Sequence, residues 1–349
     1  MKKTLAAVAI LGAFAGTAMA DVTIYGRIDT GFQYVRDGLS GAADKDKFSM
    51  VSGQHTSSRI GVKASENING LQIGFVLENG FNGTNGKPNS DERFFGRETS
   101  LFLGGDWGKV VLGYMSPVTA DAGSVSLIGG VLNTFDFGRG LVATGADSDI
   151  VNAFYRNNNS ISYVSPVYAG FKFGATYVAG DDKDKPQFSA GNNRLTALAG
   201  VYSAGNVTAG MFVNYVNNAS AGDDPDDSWD VTVGGNYNFG FMKAYASVAY
   251  FKHAPVGSLS DDCKGFKVSV SADAPVAGGT LQAGVDYADA EVVDADTDYA
   301  GYGVGAKYTY KPAKSTVFYV GGGYRYEKKE VSGVKTDLAK KFTLGAGAV

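Results

Sequence analysis

Few residues in this chain could run a reaction. Histidine occurs at His55 and His253 only, and Cys263 is the single cysteine. The two histidines are far apart in sequence, both near polar breaks, and with Cys263 they give no metal-ligand spacing. A Ser/His/acid set would have to use one of these two, and neither falls on a recognisable outward strand face. Glycine clusters such as "GGVLNTFDFGRG" lack the strand–loop–helix setting of a phosphate loop. The acidic runs "GDDPDD" (222–227) and "DADTD" (294–298) offer oxygen ligands without a defined calcium loop, so solvated acids are the simpler reading. No cofactor or metal is expected. The chemistry left to the chain is the placement of fixed charge.

That placement is visible in "DVTIYGRIDTGFQYV" (21–35). In an extended strand, Ile24, Ile28 and Phe32 share one face, while Arg27 and Asp29 share the other. Arg59 of "SSRIG" lies opposite Ile60 and Val62, and Arg156 of "FYRNN" lies opposite Ala153 and Tyr155. Three arginines on three strands thus oppose apolar faces.

The elements that carry them are strands. Gly is 49 of 349, Tyr 20 and Phe 21 against only 8 Pro, which suits strands and disfavours helices. Residues 1–20 read as a secretory leader. Lys2 and Lys3 precede an apolar run from Leu5 to Ala15 and an Ala18-Met19-Ala20 cleavage site. Losing the two lysines takes the net charge from −4 to −6, and nothing suggests a nucleic-acid partner. Past residue 20 no apolar stretch is long enough for a transmembrane helix.

From residue 21 to 349 one theme repeats without a linker: alternating segments of about ten residues, the length of a membrane-crossing strand, divided by polar breaks. "YGVGAKYTY" (302–310) sets Tyr302, Val304 and Ala306 against Lys307. Helical periodicity is confined to parts of 117–150. Short breaks fall at 67–70, 105–108, 165–170, 204–206, 238–240, 273–279 and 311–315. Long ones lie near 37–56, 82–91, 117–150, 181–192, 218–227, 253–263, 290–298 and 329–337. Seven turns and eight loops divide sixteen strands. Short turns on one side, long loops on the other and aromatic strand ends describe an all-β, 16-stranded antiparallel transmembrane barrel. In lipid, closure satisfies every backbone donor and acceptor. A lipid-facing arginine at mid-bilayer costs about 2–4 kcal/mol, so Arg27, Arg59 and Arg156 should face the lumen.

The segments "DVTIYGRID", "SSRIGVKASENINGLQIGFVLENGF" (57–81), "SLFLGGDWGKVVLGY" (100–114) and "YRNNNSISYVSPVYAGFKFGATY" (155–177) resemble the general-diffusion porins of Gram-negative outer membranes, most closely the β-proteobacterial branch. The likeness covers essentially the whole chain. It implies a homotrimer of barrels in the outer membrane, in contact with lipid and lipopolysaccharide. It also implies a third loop folded into the lumen, here 117–150, whose acids face a basic cluster on the opposite wall. Arg27, Arg59 and Arg156 match the basic positions. Arg97 in "RFFGRETSLFL" has the right neighbourhood but ambiguous parity, and Lys63 and Lys172 are secondary candidates. Of the loop acids Asp121, Asp136, Asp147 and Asp149, the first two are the better matches. One departure is the end, "KKFTLGAGAV", which lacks the family's terminal aromatic and suggests that a few residues follow.

The expected function is passive diffusion of ions and small hydrophilic solutes, with a lean towards anions because basic groups outnumber acids at the constriction. The alternative is a substrate-specific channel of the same architecture. Catalysis is not expected.

Overall fold

The computed structural model describes residues 21–39, 46–90, 93–132, 156–180, 193–217, 226–255 and 262–349. The leader, Asp136, Asp147, Asp149, Ala153 and Tyr155 lie outside the described residues. The described residues form eighteen strand segments, all pairing antiparallel: β1 (Asp21–Arg27), β2 (Thr30–Asp37), β3 (Asp46–Ser52), β4 (Arg59–Ile68), β5 (Leu71–Gly80), β6 (Glu98–Gly105), β7 (Gly108–Met115), β8 (Asn157–Val164), β9 (Phe171–Val178), β10 (Arg194–Ala204), β11 (Val207–Asn217), β12 (Ser228–Asn238), β13 (Lys243–Pro255), β14 (Asp262–Val276), β15 (Gly279–Val292), β16 (Thr297–Ala313), β17 (Thr316–Val331) and β18 (Val334–Ala348). Neighbouring crossings pair along the sequence, and a ladder from Thr30↔Ala348 to Lys341↔Asp37 joins the last strand to the first crossing. The sheet therefore closes into a barrel.

Eighteen segments stand where the sequence predicts sixteen strands because the first two crossings are each interrupted. β1 pairs with β4, ending at Arg27↔Arg59, and β2 pairs with β3, starting at Thr30↔Ser52. Between those two rungs one strand contributes Ile28 and Asp29, and the other contributes residues 53–58. Asp29 organises the break and is fully buried. Its carboxylate accepts from the backbone N–H groups of His55 and Thr56, both at 2.7 Å, and from the Tyr319 hydroxyl at 2.6 Å. Its own N–H donates to Ser58 Oγ. Merging the two interrupted crossings gives sixteen passes.

Alternation sets which face is which. Ile24, Ile28 and Phe32 are exposed on the outer surface, as are Tyr302, Val304, Phe318 and Val320, whereas Lys307 and Tyr319 are buried inside. The short turns fall where the sequence places them. Asn69 and Gly70 have φ of 53° and 87°, the double left-handed geometry of a tight hairpin that Asn-Gly supplies at least steric cost.

Three of the expected long loops are corrected. Within 37–56, residues 46–52 form β3 and pair with β2. Residues 290–298 and 329–337 belong mostly to strands, leaving turns of four residues (293–296) and two (332–333). Asp- and Lys-rich composition reads as loop, but β15 to β18 carry polar residues on both faces there and still pair to the hairpin tip. Strands of 14–17 residues exceed the 9–11 needed to cross a bilayer, so the excess stands in water.

Candidate functional site

One set of charges inside the barrel lies on β1, β4, β5 and the start of β6. Arg27 and Arg59 are register partners, and like charges directly opposite each other are unfavourable in an antiparallel pair. The chain relieves this with Thr56, whose Oγ1 accepts from both guanidiniums, at 3.4 and 3.5 Å, and with Glu78 on the next strand. Glu78 Oε1 is 3.6 Å from Arg59 Nη1 and 2.6 Å from Arg97 Nε. Its other oxygen accepts from the Tyr25 hydroxyl at 3.0 Å. One carboxylate thus ties Arg59, Arg97 and Tyr25 into a single wall cluster.

Inside the barrel, bonded to this wall at Glu98, is the segment after β7. Residues 117–132 form turns and bends with no helix, and hydrogen bonds and apolar contacts together hold them inside the barrel. Glu98, buried on β6, accepts from the Ser124 N–H at 3.1 Å and the Ser124 hydroxyl at 2.5 Å. The Val118 N–H donates to Thr176 Oγ1 on β9 at 3.0 Å, and the Thr119 hydroxyl donates to Asn214 on β11 at 2.6 Å. Asn236 on β12 donates to the Val131 carbonyl at 2.7 Å. Each bond is modest, about 1 kcal/mol net, and more where Glu98 makes it charge-assisted.

Apolar burial does the rest. Val118, Val125, Leu127, Ile128, Val131 and Leu132 join Val111, Met115 and Phe212 of the wall in one core. Wall glycines make the seats: a Cβ on Gly234 would lie 2.6 Å from Leu132 Cδ2, and one on Gly174 would lie 3.0 Å from both Leu127 and Val118. A side chain at either position would crowd the leucine or valine seated against it.

Comparison with known proteins agrees with this geometry. The family model for Gram-negative porins matches residues 5–332. The chain is 30% identical to an outer membrane porin protein of Bordetella pertussis, covering 93% of this chain and 94% of the relative. It is 29% identical to outer membrane porin protein 32 of Delftia acidovorans, covering 91% and 88%. Among solved structures, an anion-selective porin from Comamonas acidovorans superposes with a TM-score of 0.69 at 23% identity, covering 94% of this chain and 98% of the other. OmpT of Vibrio cholerae in its trimer form gives 0.66 at 21%, covering 95% and 99%. This chain belongs to the Gram-negative porin family. It is an outer-membrane β-barrel that passes solutes by diffusion.

Within this porin, the arginines expected on the wall fall into two groups. Arg27, Arg59 and Arg97 converge around Thr56 and Glu78. Arg156 sits one residue before β8, lining a cavity of about 280 Å³ with Arg93 and Arg194. Asp121 is the expected loop acid within the described residues. It lies in the field of Arg156, Arg97 and Arg59. Lys63 stacks over the Tyr25 ring at 5.8 Å. Arg97 escaped a parity assignment for a physical reason: it occupies a bend just before β6, where strand alternation does not apply.

Sequence reasoning missed Glu78 and Glu98, which the register places directly opposite each other. A signal was present. On β6, Leu101 and Leu103 are exposed outward, and the opposite parity assigns Glu98 and Ser100 to the lumen.

Proposed function

We propose that this porin forms a homotrimer whose subunits each hold a wet constriction, bounded by loop 117–150 and by the basic wall. In this reading Arg27, Arg59, Arg97 and Arg156 supply the positive side, and Asp121 and Asp136 the negative side. Small hydrophilic anions pass more readily than cations, and the outer belt of Ile24, Ile28 and Phe32 meets lipid and lipopolysaccharide. The observation that carries the reading is the Arg27↔Arg59 rung beside Arg97, with Glu78 the carboxylate bonded among them. Glu98 stands opposite Glu78, so in this reading the positive balance comes from Arg156 and Lys63 together with Arg27, Arg59 and Arg97. The structural relative described as anion-selective supports the sign, and the trimer form of OmpT supports the assembly.

The zero-current potential across a salt gradient tests the sign. A unit charge about 6 Å from a passing ion, in a water-like dielectric, is worth about 0.7 kcal/mol, or about a threefold change in relative permeability. Arg59→Ala and Arg156→Ala should each shift the preference towards cations, and Glu78→Gln should shift it towards anions. Variants that all keep the wild-type potential would remove these side chains from the ion path.

A further inference from the structure

On the loop side of the barrel, away from the constriction, three residues from three strand ends converge. Asp226 lies two residues before β12, Asp262 is the first residue of β14, and His253 belongs to β13. The β13–β14 ladder shifts register between Phe251 and Ala254, so two residues of β13 there oppose one of β14. His253 is one of the pair and adopts a left-handed φ of 51°, unusual for a side chain of this size. This bulge turns the imidazole against the strand ends, leaving it only 11% exposed. Nδ1 stands 3.0 Å from Asp262 Oδ2 and 3.5 Å from Asp226 Oδ2, and one donor atom from each residue lies within 4.8 Å of the others.

We propose that Asp226, His253 and Asp262 bind a divalent transition-metal ion of the zinc class at the barrel rim. A tetrahedral ion with bonds near 2.0–2.2 Å holds neighbouring donors about 3.3–3.5 Å apart. The two imidazole–carboxylate spans bracket that value, and the two carboxylates are both about half or more exposed. One neutral imidazole and two carboxylates neutralise a dication. The imidazole selects zinc, cobalt, nickel or copper over calcium and magnesium, which take oxygen-only shells. Three protein donors leave a fourth position to water. A bound ion would join the starts of β12 and β14 to the β13 bulge, cross-linking two adjacent hairpins.

The test uses the full-length, tag-free, folded porin in detergent, stripped with EDTA and titrated with Zn²⁺ and separately with Co²⁺. Expected are one ion per chain, a visible Co²⁺ spectrum of low coordination number, and no competition from millimolar-scale Ca²⁺. His253→Ala, His253→Gln and Asp262→Asn should each weaken binding by at least about tenfold, and His55→Ala should leave it unchanged. The two conservative variants keep side-chain volume, so a fold defect in His253→Ala does not decide the matter. No saturable Zn²⁺ binding, or binding that survives both His253→Gln and Asp262→Asn, overturns the proposal. Loss of the Zn²⁺ effect in favour of a purely proton-linked response, with the imidazolium bridging the two acids, overturns it equally.

Discussion

The two halves of this barrel solve the same crossing problem differently. Strands β1 to β9 run 7–10 residues, whereas β13 to β18 run 13–17. The early half is broken at Asp29 and 53–58, and it carries the inward loop after β7. The late half is nearly uninterrupted and projects beyond the bilayer as paired hairpins. The difference shows where charged side chains can leave the fixed spacing of the pleat. An unbroken strand presents each inward side chain at a spacing fixed by the pleat. A break supplies extra backbone donors and lets residues such as Arg97, Thr56 and Asp121 leave the ladder and converge. The early half is therefore the irregular one, and its irregularities are held by buried acids.

The largest predicted effect comes from removing the acid at the first break. Asp29→Ala leaves two backbone N–H groups and the Tyr319 hydroxyl without their acceptor inside the wall. The expected loss is about 3–5 kcal/mol, measured by denaturant unfolding of the folded barrel in lipid. A loss below about 1 kcal/mol, the worth of a single ordinary hydrogen bond, would mean that the break holds itself without Asp29. Next is Glu98→Ala, which releases both Ser124 bonds. It should cost about 2–3 kcal/mol of loop anchoring and appear as larger single-channel conductance with added current noise. Quiet, wild-type current would show that the apolar seats alone fix the loop.

The late half provides the contrasting case. Gly333 has φ of 80° at the two-residue tip between β17 and β18, where a Cβ would meet open space. Gly333→Ala should therefore cost only the left-handed strain, about 1 kcal/mol, and leave conductance unchanged. A conductance change here would blur the division between a shaping half and a scaffolding half.

Legibility from sequence follows the same division. Closed antiparallel topology, the seven short turns and the outward aromatics were readable because the pleat forces strict alternation and lipid punishes polar mistakes. Lys307 against Tyr302 and Val304 is such a case, and so is Arg27 against Ile24. The break at Asp29 was not readable, because "YGRIDTGFQY" alternates smoothly through it and the cause is a partner, Tyr319, 290 residues away. Glu78 and Glu98 were passed over for a related reason. An inward acid reads as solvated until a register places it between arginines or against a loop. The hairpins at 290–298 and 329–337 read as loops because composition reports polarity, and polarity beyond the membrane says nothing about pairing.

The central claim is that the segment after β7 lies in the ion path. Gly129 tests it, since a Cβ there meets open space and its φ is unstrained. The native thiol, Cys263, is fully buried. Gly129→Cys, inserted in a planar bilayer and treated with a bulky charged thiol reagent, should lose conductance in discrete steps and regain it on reduction. Wild-type protein should not respond. Full current through a Gly129→Cys channel whose modification is verified by mass would contradict the claim.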